Sequence, residues 1–155
     1  MLHVYLLAAR FRMFDRKVAA PWPQHLLDHF FFDAEERMDT LHNLTSRSVR
    51  QAHLKDMFVQ YRGMVAAYDE GIAKGDAVLA TALWRNLYGA RPDVNPEHLA
   101  TVVGYMRREL RNLEKLTDEQ VVNGSIKFGD FRHILPIVAQ PAPETSENIP
   151  TDTPS

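Results

Sequence analysis

The segment of residues 68–87 constrains the fold most strongly, because it joins two patterned helices through a short turn. Gly71 and Gly75 are placed to end the first helix, and Asp76 is placed to cap the second. Apolar residues then recur at every fourth position of the second helix: Leu79, Leu83 and Leu87. This spacing puts them on one helical face and predicts packing rather than chemistry.

Apolar residues at helical spacing predict four further helices, and therefore an all-α fold. Their expected positions are residues 4–14, residues 21–41, a stretch that begins after Asn95, and a short stretch that begins after Thr117. Asn95 precedes a proline and an acid, and Thr117 with Gln120 fits a capping box. We predict a single compact bundle of about five to six helices over residues 1–135. Residues 136–155 are rich in Pro, Thr, Ser and Glu, and we expect this tail to be disordered.

The composition fits one globular domain and excludes several classes of function. The 155 residues are 45% hydrophobic and 25% charged, and the net charge of -2 gives no basis for bulk nucleic-acid binding. The chain has no cysteine, which excludes disulfides, thiolate nucleophiles and Cys-ligated zinc. No apolar run of about 18 residues occurs, so contact with a membrane would be peripheral.

Two patterns contain residue types that bind metals. His25, Asp28 and His29 have the H-x-x-acid-H spacing of an inverted zinc peptidase motif, which keeps a zinc hydrolase as a remote alternative. The pairs Asp39–His42 and Asp130–His133 resemble half of a di-iron site. The motif has Asp where the peptidases have Glu, and the pairs have no inward-facing Glu from other helices. Solvated side chains therefore explain both patterns better than a metal does.

The fifth predicted helix has a basic face: Arg107, Arg108, Arg111 and Lys115. Such a face can be simply solvated, or it can contact the phosphates of RNA or of anionic lipids. The second interpretation gives the main alternative function, a ribosome-associated or RNA-associated adaptor that does not bind a client protein directly.

Several short blocks, in order and at suitable spacing, resemble the ubiquinol–cytochrome c chaperone family. The blocks are residues 2–7, 33–38, 61–63, 68–71, 82–87 and 124–129. The resemblance implies an all-helical domain with no catalysis and no cofactor. It also implies a role as assembly chaperone for respiratory complex III, bound to newly made cytochrome b together with a small partner protein.

The same resemblance implies a location on the matrix side of the mitochondrial inner membrane, with possible contact with the mitochondrial ribosome and the membrane surface. An alphaproteobacterial cytoplasm or membrane periphery is the alternative, since related proteins occur there. Family members usually have a targeting segment ahead of the first block, whereas this chain begins at that block.

We expect partner-binding residues on the second and fourth helices and in the family blocks. Acidic and basic side chains of the second helix would fix the alignment of a partner, and Trp84 with Arg85 on the fourth helix would anchor it, although a tryptophan there can also be a core or rim residue. Phe128 is expected to plug the end of the bundle. The candidate partner-binding residues are Asp33, Glu36, Arg37, Tyr68, Asp69, Trp84, Arg85, Lys127 and Phe128.

Overall fold

The computed structural model of the chain describes residues 1–15 and 21–129. This part of the chain contains six α-helices, so the all-α prediction is confirmed. They are α1 (Leu2–Phe11), α2 (Trp22–Thr40), α3 (Arg47–Lys74), α4 (Asp76–Leu87), α5 (Pro96–Glu114) and α6 (Asp118–Val122). The predicted tail at 136–155 and the predicted domain boundary at 135 lie outside the described residues.

The main core lies between α1, the C-terminal half of α3, α4 and α5. α1 packs against α5 and α2, α3 packs against α4 and α2, and α4 packs against α5. The most deeply buried side chains are Tyr5, Leu6, Tyr68, Leu79, Leu83, Val102, Met106 and Glu109. α2 contributes no fully buried residue, so it covers the core from outside.

The turn between α3 and α4 differs in detail from its prediction. α3 ends at Lys74, and Gly75 adopts a φ of 115°, a backbone conformation that favours glycine. Gly71 lies inside α3, where a Cβ atom would be only 2.6 Å from the Cα of Leu79. Its role is therefore close packing of the two helices rather than ending the first.

Two other predictions for this segment are wrong. The side chain of Asp76 does not cap α4. Its carboxylate instead accepts a hydrogen bond from Nε of Arg107 on α5. Leu87 is 44% exposed, whereas Leu79 and Leu83 are buried. α4 ends at Leu87, and the core does not extend to that last turn.

Both predicted N-caps are confirmed. Oδ1 of Asn95 accepts a hydrogen bond from the backbone N–H of Glu97 at 2.8 Å. Oγ1 of Thr117 accepts from the backbone N–H of Gln120 at 3.2 Å, and Oε1 of Gln120 accepts from the backbone N–H of Thr117 at 2.9 Å. These bonds satisfy N–H groups that a helix start leaves unpaired.

A buried arginine joins α1 to the end of α5. Nε of Arg10 donates to the carbonyl of Leu113 at 3.0 Å, and Nη2 donates to the carbonyl of Leu116 at 2.7 Å and to Asp118 at 2.7 Å. The carbonyls at a helix C-terminus lack intrahelical partners and carry partial negative charge. The guanidinium of Arg10 supplies both hydrogen-bond donors and a positive charge. The contact fixes the position of α6 as well.

A second polar network joins α1 to α3. The guanidinium of Arg12 binds the carboxylate of Asp69 through two hydrogen bonds of 2.7 and 2.8 Å, and the Tyr5 hydroxyl donates to the same carboxylate at 2.8 Å. The hydrogen bonds from Arg12 are the main reason that the pKa of Asp69 lies below its ordinary value. Burial raises the pKa of Tyr5, so its hydroxyl remains a donor.

We predict that Gly71→Ala lowers the free energy of unfolding by about 1–3 kcal/mol, because the added methyl group would overlap the backbone of Leu79. Urea unfolding monitored by circular dichroism measures this change. Gly63→Ala is the matched control: it lies in the same helix with no atom within 4 Å of its Cβ position. The control should raise stability by about 0.5–1 kcal/mol, because alanine favours helix. Equal effects of the two substitutions would contradict the close packing at Gly71.

We predict that Asp69→Asn reduces the acid sensitivity of the fold. A carboxyl group whose pKa is lowered in the folded state adds stability above its unfolded pKa, and this contribution is lost as the pH falls through the folded pKa. The wild-type chain should therefore be more stable than the variant at about pH 7, and the difference should shrink towards about pH 2. Urea unfolding across this range measures it. Asp56→Asn, which removes an exposed carboxylate from the same helix, should leave the pH profile unchanged.

Candidate partner-binding surfaces

The outer face of α2 contains three of the predicted partner-binding residues. Asp33, Glu36 and Arg37 are all exposed. Nε of Arg37 contacts the carboxylate of Asp33 at 2.9 Å, one helical turn away. Both groups of this ion pair are largely solvated, so it adds little stability, and the side chains remain available to a partner.

Large apolar side chains are exposed beside these charges. Phe32 is 69% exposed, and α3 is exposed or half-buried from its start to Gln60. The ring of Phe31, next to Phe32 in α2, lies against that of Phe58 in α3, and we call the exposed residues at this contact the α2–α3 apolar face: Phe32, Phe58 and Val59. An accumulation of exposed apolar residues on one pair of helices is typical of an interaction surface.

Phe32 is a candidate that the sequence reasoning missed. Its neighbours Phe30 and Phe31 are both half-buried. The ring of Phe31 lies 5.8 Å from that of Phe58, centroid to centroid. Successive helical residues are separated by about 100°, so three consecutive phenylalanines cannot share one face. That geometric limit was a usable signal that one of the three would face outwards.

Arg50 holds α2 and α3 together at the base of this face. Its Nη1 donates to the carbonyls of Leu44 and Thr45 at 2.8 and 2.9 Å, and to Asp39 at 3.1 Å. Nε is buried without a hydrogen-bond partner and lies 3.6 Å from a carboxylate oxygen of Glu35. Asp39, which belongs to the Asp39–His42 pair that only resembled half of a di-iron site, is thus engaged by an arginine.

The predicted anchor on α4 is only half-buried, and the loop that follows the helix holds it. Nε1 of Trp84 donates to the carbonyl of Arg91 at 2.6 Å. The indole ring lines a shallow hollow of about 230 Å³ together with Val94 and Leu99. Arg85 is exposed and lines a separate hollow of about 310 Å³ between α3 and α4, beside Glu70. The two side chains therefore face different hollows.

The remaining predicted residues belong mainly to the packed structure. Tyr68 is buried edge-on against Tyr5, and burial raises its pKa to about 12. Asp69 is bound by Arg12 and Tyr5. Tyr68 is thus inaccessible to a partner, and both carboxylate oxygens of Asp69 are already hydrogen-bonded within the chain.

The segment after α6 packs on the core through Phe128, as expected. The ring of Phe128 lies 4.5 Å from the imidazole of His3. The backbone N–H of Gly129 donates to Oε2 of Glu109 at 3.2 Å, and this carboxylate is 1% exposed. Lys127, between these contacts, is exposed. Glu109 is thus a structural residue that the sequence analysis did not single out.

The zinc-like motif lies on the exposed side of α2. Asp28 accepts a hydrogen bond from Nε2 of Gln24 at 2.7 Å, and His25 contacts the ring of Trp22. Across residues 1–15 and 21–129, no three His, Asp or Glu side chains are grouped so as to hold a metal ion. The pair Asp130–His133 lies outside the described residues. None of the described helices is long and apolar enough to cross a membrane.

Comparison with known proteins identifies relatives over most of the chain. The mitochondrial protein CBP3 of Saccharomyces cerevisiae is 38% identical over 128 residues, which is 83% of this chain and 38% of the yeast protein. Ubiquinol-cytochrome-c reductase complex assembly factor 1 of Xenopus laevis is 27% identical over 78% of the chain and 58% of its own length. The human protein of the same name is 23% identical over 79% of the chain and 40% of its own length. No solved structure matches.

The chain thus spans between about two fifths and three fifths of these relatives. A family model described as ubiquinol-cytochrome C chaperone matches residues 1–128, which includes all six helices described above. The match covers the blocks on which the sequence resemblance rested, except the last residue of the final block, Gly129. The chain therefore belongs to the ubiquinol–cytochrome c chaperone family.

Proposed function

We propose that the chain is an assembly chaperone for ubiquinol–cytochrome c reductase, respiratory complex III. In this role it binds newly made cytochrome b together with a small partner protein, on the matrix side of the mitochondrial inner membrane near the ribosome. The observation that carries the proposal is the α2–α3 apolar face with its charged neighbours on α2.

A membrane-protein client explains why this face is apolar and exposed. Cytochrome b has apolar helices that must be kept from aggregating before their neighbours are present. An amphipathic or apolar helix docks in water by burying its apolar side chains against a matching surface. Phe32, Phe58 and Val59 offer such contacts, and burying one large apolar side chain contributes about 1.5–3 kcal/mol.

The charges that border the face can fix the alignment of a bound client segment. Asp33, Glu36 and Arg37 lie within about one and a half turns of Phe32 along α2. Exposed charges contribute little affinity, but like charges placed opposite each other exclude wrong partners and wrong alignments. An apolar contact with a charged border thus holds a client selectively while its release remains possible.

The names of the relatives support the coarser part of the proposal. The frog and human relatives are named as assembly factors of the ubiquinol–cytochrome c reductase complex, and the yeast relative is named as mitochondrial. A mitochondrial location and a role in complex III assembly follow for this chain by family membership. Binding and release of a client require no catalytic group, so the proposed activity is not enzymatic.

We predict that Phe32→Ser reduces binding of cytochrome b, because it removes the most exposed aromatic contact of the face without creating a cavity. A chimera in which this chain replaces the matching region of the yeast relative provides the assay. Recovery of pulse-labelled cytochrome b with the tagged chimera should fall by at least about fivefold, which corresponds to about 1 kcal/mol.

Val122→Ser is the matched control, since it removes an exposed apolar side chain from α6, outside the α2–α3 apolar face. Its cytochrome b recovery should equal that of the unmodified chimera. Both variants should also unfold at the same temperature as the unmodified chimera. If Phe32→Ser recovers as much cytochrome b as the unmodified chimera, the α2–α3 apolar face is not the binding surface. Failure of the unmodified chimera to recover cytochrome b would overturn the function itself.

We predict that the double substitution Trp84→Phe and Arg85→Ala affects recovery of the small partner rather than of cytochrome b. Trp84 also binds the loop after α4 through its indole N–H. Phe keeps the apolar contact and removes the donor. If this end of α4 anchors the small partner, recovery of that partner should fall while cytochrome b remains bound. Co-purification of both proteins with the chimera measures this, with Arg47→Ala as an exposed control. Unchanged recovery of both proteins in a folded variant would exclude Trp84 and Arg85 as anchors.

A further inference from the structure

A hollow of about 170 Å³ lies between α2 and α3, next to the α2–α3 apolar face. Its lining on α2 consists of Phe32, which belongs to that face, and the acids Glu35, Glu36 and Asp39. These four positions have the i, i+3, i+4, i+7 spacing that places side chains on one face of a helix. Arg50 of α3 completes the lining. The apolar face and the acidic hollow thus form one continuous surface.

The acidic hollow has a net negative charge even when its own ion pairs are counted. Three carboxylates line it against one guanidinium, that of Arg50, which leaves a charge of -2. Arg37 is the only Lys or Arg of α2, and it is already paired with Asp33. The nearest cations of α3 in sequence, Arg47 and Lys55, do not line the hollow. The surface therefore favours a partner that brings positive charge.

A larger groove, between α1, α3 and α5, offers no such preference. Its volume is about 500 Å³, and its lining includes Ala9, Ile72 and Leu110. Three of its four arginines are paired with aspartates of the chain, and the fourth, Arg111, shares the lining with Glu114. Its charges favour neither an acidic nor a basic partner, whereas those of the acidic hollow favour a basic one.

The carboxylates of the acidic hollow have unused capacity to accept hydrogen bonds. Glu36 forms no ion pair with any residue of the described ranges. Glu35 lies 3.6 Å from Nε of Arg50 and accepts one long hydrogen bond, 3.4 Å, from Gln51. Asp39 accepts one from Nη1 of Arg50 at 3.1 Å. A carboxylate can accept about four hydrogen bonds, so acceptor sites remain for the N–H donors of a lysine or an arginine.

We propose that this continuous surface binds the end of an apolar client helix at the point where basic residues follow it. The inference rests on the proposed function, which makes the client a membrane protein newly synthesised on the matrix side. Spanning helices have an excess of Lys and Arg next to the ends that stay on the side from which they are inserted. The apolar part of such an end packs on the α2–α3 apolar face, and its Lys or Arg side chains bind the carboxylates of the acidic hollow.

The spacing along both helices suits this arrangement. Phe32 and Asp39 are seven residues apart on α2, about 10 Å along the axis. Phe58 and Arg50 are eight residues apart on α3, about 12 Å along the axis. Phe58 contacts Phe31, and Arg50 binds Asp39. The apolar and acidic parts are thus about two helical turns apart, which fits a client helix whose basic residues lie one or two turns beyond its last apolar contact.

Other classes of ligand fit this surface less well. The net negative charge repels the phosphates of RNA and of anionic lipids. Across residues 1–15 and 21–129, no three His, Asp or Glu side chains are grouped so as to hold a metal ion. A basic side chain attached to an apolar segment matches both the charge of the hollow and the exposed ring of Phe32 beside it.

The test uses the whole chain and three synthetic peptides of about 18 residues. The first has leucines at helical spacing in an alanine helix, followed by lysines at helical spacing. The second has glutamates in place of the lysines, and the third keeps the lysines but has serines in place of the leucines. Fluorescence anisotropy at low salt measures binding. The lysine–leucine peptide should bind, and the other two should each bind at least about tenfold more weakly.

Glu36→Lys is the decisive variant, because Glu36 is exposed and the substitution leaves the contacts of Arg50 in place. It should weaken binding of the lysine–leucine peptide by at least about fivefold and strengthen binding of the glutamate peptide. Glu114→Lys is the matched control, the same charge reversal at an exposed position of α5. It should change both affinities by less than about twofold.

Three results would overturn the inference: equal binding of the glutamate peptide, equal binding of the serine peptide, or unchanged binding by Glu36→Lys. Binding of phosphatidylglycerol vesicles in place of the lysine–leucine peptide would overturn it in favour of lipid. If the peptides behave as expected but the unmodified chimera recovers no cytochrome b, the proposed function fails and the preference of the surface for basic apolar helices stands. If the chimera recovers cytochrome b and the peptides bind equally, only this inference fails.

Discussion

The close contact between Gly71 and Leu79 determines how the rest of the bundle is arranged. A glycine in the last turns of α3 lets the first turn of α4 approach to backbone contact distance, which requires the chain to reverse sharply at Gly75. With α4 fixed on α3, α5 packs against α4 and α1 packs against α5. The aromatic core around Tyr5 and Tyr68 and the groove beside Ile72 both depend on that order of packing.

Much of the fold was predictable because its signals are local. Helical periodicity, the Asn95 cap and the Thr117 capping box depend on residues within one or two turns, and the structure agrees with each. The errors concern contacts between distant residues. Asp76 was expected to serve its own helix, but Arg107, 31 residues away, binds its carboxylate. No local pattern could show which of these two uses would prevail.

The candidate surfaces were harder to predict for the same reason. Tyr68 and Asp69 lie in a family block, but only the fold shows that one is buried and the other is bound by Arg12. Phe32 was not among the predicted partner-binding residues, and its exposure depends on how α2 is rotated against α3. The groove lined by Ala9, Ile72 and Leu110 combines residues of three helices that are 63 and 38 positions apart, so no stretch of sequence contains it.

The position of α2 outside the core has an energetic consequence. No residue of α2 is fully buried, and α2 is held to α3 through half-buried rings and the hydrogen bonds of Arg50. A helix held in this way can detach at a lower free energy than one whose side chains form the core. Phe32 and the charges beside it therefore lie on a helix whose detachment would remove no fully buried side chain from the core. The chain can thus enlarge or close this surface while the packing of α3, α4 and α5 stays intact.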